Sequence, residues 1–176
     1  MKKILFLALL AFGMSARGQI TLEHTFDSAS TYLNLPSQLI YVKFSATEEN
    51  YFNINKEGRC INVYDLNHAF IKKISYSTFP QDCTGSATFL YFSKDLFSND
   101  NLMDYMMITG DCSGIRHTYI YNENGVCIFS ADSLAPLVMS NTQQLQYPIY
   151  NTSQGTKMIL SQEFNGTANL YSVCPA

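Results

Sequence analysis

The chain contains no tryptophan, three histidines, five prolines and nine glycines, and only 14% of its 176 residues are charged. So few glycines and prolines exclude a fibrous or low-complexity protein. The near balance of eleven basic and fourteen acidic side chains excludes electrostatic recognition of nucleic acid, which needs a basic footprint. His24, His68 and His117 show no metal-ligand spacing, and His68, after Asp65-Leu-Asn, reads as a turn or surface residue. No Cys-x-x-Cys pair is present, so the spacing of a zinc knuckle or a thioredoxin-type centre is lacking. The sequence assigns no catalytic residue, metal or cofactor. What the chain has instead is apolar mass: 47% hydrophobic residues, with twelve Tyr and twelve Phe. That content argues against disorder, and the length suits one domain burying ~70% of its unfolded surface.

The long apolar run needed for a membrane span is also missing. Lys2 and Lys3 precede an apolar stretch from Ile4 to Phe12, far short of the ~20 residues that cross a bilayer. Ala16 and Gly18 then stand at the −3 and −1 positions of a cut before Gln19. This is the three-part pattern of a cleavable signal peptide over residues 1–18, leaving one all-β domain over 19–176. Cleavage removes Lys2, Lys3 and Arg17, so the mature chain carries eight basic against fourteen acidic groups, a net charge of −6. The expected location is secreted, periplasmic or cell-surface, with no membrane-spanning segment after cleavage.

From Ile20 onward, period-2 alternation and β-forming residues dominate, and no stretch sustains a capped 3.6-residue period. Strands are predicted over 20–26, 39–45, 51–55, 60–66, 70–76, 88–92, 103–109, 115–121, 126–130, 146–150, 156–161 and 168–173. Lys56-Glu-Gly58, Asn122-Glu-Asn-Gly125 and Asn165-Gly166 supply turn chemistry between them. Ile61-Asn-Val-Tyr-Asp-Leu, His117-Thr-Tyr-Ile-Tyr-Asn and Ala168-Asn-Leu-Tyr-Ser-Val recur about every 50 residues, the cadence of a four-stranded blade. The fold expected is all-β, with antiparallel sheets in a propeller-like repeat of about three four-stranded units. A β-sandwich is the alternative. Residues 20–26 are expected to complete the third unit.

Five cysteines follow the leader; disulfides are the default in an exported protein, and the odd count leaves at least one thiol unpaired within a monomer, buried as a small apolar side chain. Pairing of Leu90 with Tyr105 in adjacent strands would carry Cys83 opposite Cys112, the one disulfide candidate. Gly110-Asp-Cys-Ser-Gly114 superficially resembles a serine-protease nucleophile turn, but the cysteine interrupts the motif and no triad supports it. Ser98-Asn-Asp-Asn101 with Asp104 lacks the spacing of a calcium loop and reads as a solvated hairpin tip. Glu48-Glu49 reads as a polar loop rather than a catalytic carboxylate pair. The alternating aromatics read first as core and cross-strand pairs, with a carbohydrate or peptide face as the second reading.

Several segments together carry a resemblance. They are Gln19-Ile-Thr-Leu-Glu-His-Thr-Phe-Asp, Ile61-Asn-Val-Tyr-Asp-Leu-Asn-His, Ser93-Lys-Asp-Leu-Phe-Ser-Asn-Asp, Tyr119-Ile-Tyr-Asn-Glu-Asn-Gly, Gly155-Thr-Lys-Met-Ile-Leu and Ala168-Asn-Leu-Tyr-Ser-Val-Cys-Pro. The chain resembles secreted Bacteroidota proteins exported by the type IX system, in the β-rich region upstream of their C-terminal sorting domain. The resemblance implies a repeat-like β-region of no established activity, here without its sorting tail. It also implies O-glycosylation at Ser28 in Asp27-Ser-Ala and Ser133 in Asp132-Ser-Leu. The function expected is a non-enzymatic binding or interaction module of the cell envelope or secretome, with a protein or glycan partner. The alternatives are a secreted hydrolase acting on glycan or peptide, or a truncated fragment of a longer surface protein.

Overall fold

The computed structural model describes residues 22–26, 37–76, 88–136, 148–162 and 167–173. The leader with its cut at Gly18/Gln19, and Ser28, Cys83, Cys174 and the Asn165-Gly166 turn, lie outside the described residues. The described chain is all-β. Eleven strands follow one another: β1 Ser37–Lys43, β2 Glu49–Asn55, β3 Cys60–Tyr64, β4 Phe70–Ser75, β5 Thr88–Ser93, β6 Asp104–Gly110, β7 Arg116–Asn122, β8 Cys127–Ala131, β9 Ile149–Thr152, β10 Gly155–Ser161 and β11 Ala168–Val173. They form three antiparallel meanders of four, four and three strands, in the orders β1-β2-β3-β4, β5-β6-β7-β8 and β11-β10-β9. Three sheets replace the two of the sandwich alternative, and the described residues close neither a barrel nor a propeller ring.

Two apolar cores define how the sheets lie. Phe52, Ile54, Ile61, Val63 and Ile74 of the first sheet pack with Met107, Tyr105 and Tyr121 of the second. Met106, Ile120 and Ala131 of the second sheet pack with Met158, Leu160 and Val173 of the third. The period-2 geometry of a strand explains the partition: Tyr105 and Met107 leave β6 on one side, Met106 on the other. The second sheet is therefore the middle layer, and all seven residues of β6 are buried. Burying each of its apolar side chains Met106, Met107 and Ile108 stabilises the fold by about 1.5–3 kcal/mol.

The three recurring motifs fall on the third strand of each sheet, β3, β7 and β11. They are out of phase in facing, however. Val63 and Tyr119 occupy the same motif position yet meet the first core from opposite sides. The repeat is one of topology and not of side-chain direction.

Two expectations require correction. Leu22–Phe26 belongs to no strand; it lies against the first sheet, not the third, with Phe26 on Tyr64 at 5.1 Å between ring centroids. Tyr105 pairs with Phe92 rather than Leu90, because a bulge between Phe89 and Tyr91 puts an extra residue into β5.

Three turns share one construction. In Asp65–Ala69, Asp111–Ile115 and Asn122–Val126 the first side-chain oxygen accepts two backbone N–H groups, from the third and fifth residues, at 2.8 to 3.1 Å. The fourth residue adopts positive φ: 66° at His68, 85° at Gly114 and 80° at Gly125. Glycine takes this conformation without strain, whereas a side chain there costs about 1–2 kcal/mol. His68 holds a glycine's position.

Candidate binding face

Phe52 and Ile54 send one face of β2 into the first core, which leaves Glu49, Tyr51 and Asn53 on the outer face of the stack. The register then builds a row. Tyr41 of β1 lies opposite Tyr51, Tyr51 opposite Tyr64 of β3, and Tyr64 opposite Phe70 of β4. Four rings thus cross four strands, one per strand, over roughly 14 Å at the usual strand spacing. Tyr41 and Phe70, at the two ends, are 52% and 58% exposed, and Tyr51 and Tyr64 are half-buried between them.

His68 adds to this row from the β3–β4 turn. Its ring stacks on Tyr51 at 5.6 Å and on His24 at 4.6 Å. Phe26 packs edge-on against Tyr64 and tilted against Tyr51 at 5.9 Å. A strained backbone that holds a ring in an exposed aromatic cluster is the kind of outlier found at functional sites.

The rim of the row is polar. Glu49 accepts the Tyr41 hydroxyl, and the Lys43 ammonium at 2.7 Å. The hydrogen bond from Lys43, then that from Tyr41, holds the Glu49 carboxyl below the usual range, while donation to Glu49 raises the Tyr41 hydroxyl. Asn53 is buried with its Oδ1 unpaired, and unpaired polar atoms of this kind cost about 1–3 kcal/mol.

The other sequence candidates land elsewhere. Ser113 donates its hydroxyl to Asp111 at 2.6 Å, the same carboxylate that shapes the hairpin turn. That bond, with backbone amides and His117, holds Asp111 down to about 2. His117 stands 3.5 Å from both Asp111 and Asp132, away from His24 and His68 on the first sheet. Glu48 and Glu49 serve separate partners, Lys94 at 2.5 Å and Lys43, and Glu49 opens β2 rather than lying in a loop.

Asp104 is not at a solvated tip. It is fully buried at the start of β6, accepts Ser98 Oγ at 2.7 Å, and leaves Oδ1 unpaired. Burial pushes its carboxyl upward, against the hydrogen bond from Ser98. Cys60 and Cys127 are free thiols, whereas Cys112 is engaged. Ser133 follows β8 at φ 58°, half-buried, with its amide 3.3 Å from His117 Nδ1. Among the described residues no cluster of His, Cys, Asp or Glu forms a metal site, and no helix is long and apolar enough to cross a membrane.

The aromatic row was hidden in the sequence because Tyr51 and Phe52, like Val63 and Tyr64, put apolar residues on both faces of a strand. One usable signal was the alignment of His68 with Gly114 and Gly125 in the three matching turns. No family model, curated protein or solved structure matches the chain.

Proposed function

We propose that this chain is an exported, non-enzymatic binding module of the cell envelope or secretome, and that the outer face of its first sheet is the binding surface. The observation that carries this reading is the row Tyr41–Tyr51–Tyr64–Phe70, exposed at both ends and edged by Lys43 and Glu49. Aromatic faces with polar tips suit flat, hydroxyl-rich or extended partners, and exposed apolar clusters of this kind mark interaction sites. Pull-down on peptidoglycan sacculi, cellulose and chitin tests it, with the double variant Tyr41→Ala/Phe70→Ala as control. Retention of the wild type on one polymer and its loss in the variant supports the reading. Equal behaviour of the two proteins contradicts it.

The leader pattern and the Bacteroidota resemblance support export; a propeller-like stack, glycans on Ser28 and Ser133, and a Cys83–Cys112 disulfide belong to the same reading. Thr88 opposite Ile108 supports that bridge, since Cys83 precedes Thr88 by five residues and Cys112 follows Ile108 by four. Intact mass of the natively expressed protein, with and without reductant, tests all three covalent features. Two further readings have one observation each. His117 between Asp111 and Asp132 favours a hydrolase, tested by release of reducing ends or peptides in wild type and Asp132→Asn. The third sheet, three-stranded among the described residues, favours a fragment of a longer surface protein.

A further inference from the structure

The third sheet has no fourth strand among the described residues, and the place where one would lie is an apolar groove. In the first two sheets β4 and β8 pair beside β3 and β7; in the third, β11 is an edge. A groove of about 280 Å³ runs along that edge, between the second and third sheets, lined by Ile120, Ile128, Phe129, Met158, Tyr171 and Val173. Phe129 meets Tyr171 edge-on at 5.2 Å across it. An open edge of this kind offers unpaired backbone donors and acceptors to another extended segment. Ile128 and Phe129 of β8 form the wall opposite β11.

The chain holds a segment suited to that place. Leu22–Phe26 lies outside every sheet, and its apolar and ring-bearing residues alternate as Leu22, His24 and Phe26. Its seat on its own first sheet is shallow: Leu22 is 84% exposed, Glu23, His24 and Thr25 are also exposed, and Phe26 is half-buried. That seat is across the middle layer from the groove. The charges also agree. Ser172 and Lys157 share the outer face of the third sheet, with the Lys157 ammonium 2.8 Å from the Ser172 hydroxyl. A strand beside β11 with Leu22, His24 and Phe26 turned inward presents Glu23 on the same outer face as Lys157, with β11 between them.

We propose that Leu22–Phe26 of a second copy of this chain enters the groove as the fourth strand of the third sheet. Such an interface joins different surfaces of the two copies, so each copy carries both a donor and an acceptor. The four rings Tyr41–Tyr51–Tyr64–Phe70 stay on their own sheet, and the exchange uncovers Tyr51, Tyr64 and His68, on which Phe26 packs here.

Light scattering on the purified chain over a hundred-fold concentration range tests this, with Leu22→Lys as the donor variant and Ile128→Lys as the acceptor variant. Both positions are exposed, so unchanged melting curves establish that each variant folds. The wild type is expected at the mass of two or more chains at high concentration, and each variant alone at the mass of one. Mixing the two variants restores a two-chain species, because one retains an intact groove and the other an intact donor. A wild type at one-chain mass throughout, whether its groove is empty or filled by its own segment, overturns the proposal. So does association that neither substitution weakens.

Discussion

The two spaces between the three sheets are built alike on one side and differently on the other. In the first, β4 reaches over the middle layer, delivers Ile74 into the core and is followed by buried Tyr76, whose hydroxyl donates to the Asn55 carbonyl at 3.0 Å. Lys72 of the same strand pairs with Glu123 in the β7–β8 turn, clamping the rim. In the second space no described strand does this. Phe129 and Tyr171 remain half-buried, and Ile128 and Leu170 face solvent. A meander becomes a sealed layer only when its last strand covers the one before it, and an unsealed layer is a docking place.

Substitutions on the two sides should therefore differ. Ile74→Ala opens the sealed core and is expected to cost about 2–4 kcal/mol in urea unfolding; a loss under 1 kcal/mol would break the contrast. Next in size is Asp104→Asn, on the strand both cores share. Burial raises the Asp104 carboxyl in the folded state, so the native protein favours its protonated form, and stability falls as pH rises through that raised value. The amide variant is expected to melt higher than wild type at pH 7, with the gap closing as pH falls toward 4.

Smaller still is His68→Gly, which relaxes the positive φ while removing a ring from the outer face. Stability is expected to hold or rise by up to about 1 kcal/mol, while retention on the polymer bound by wild type falls. A fall in both would make His68 a structural residue. The smallest effect is expected for Ile128→Ala on the open side, within about 0.5 kcal/mol in the same urea assay.

Much of the fold was legible because strand alternation and turn chemistry are local. Ten of the eleven strands follow their predicted places, β9 overlaps the strand predicted over 146–150 only at Ile149 and Tyr150, and Asn122-Glu-Asn-Gly125 forms the turn its residues specify. What failed was tertiary. Leu22–Phe26 alternates like a strand, but alternation does not say which sheet edge is vacant or within reach. The β5 bulge shifts a register that no residue announces. Asp104 looks like a hairpin tip beside Ser98 and Asp100, and only the packing of β6 between two sheets buries it. The aromatic row needed the register of four strands before Tyr41, Tyr51, Tyr64 and Phe70 became neighbours.

Amide hydrogen exchange, read strand by strand at low and high protein concentration, tests the contrast between the sealed and open layers most directly. The account predicts slow exchange in β3 at every concentration, and fast exchange in β11 that slows only as concentration rises. Protection of β11 equal to that of β3 in the most dilute sample would contradict it.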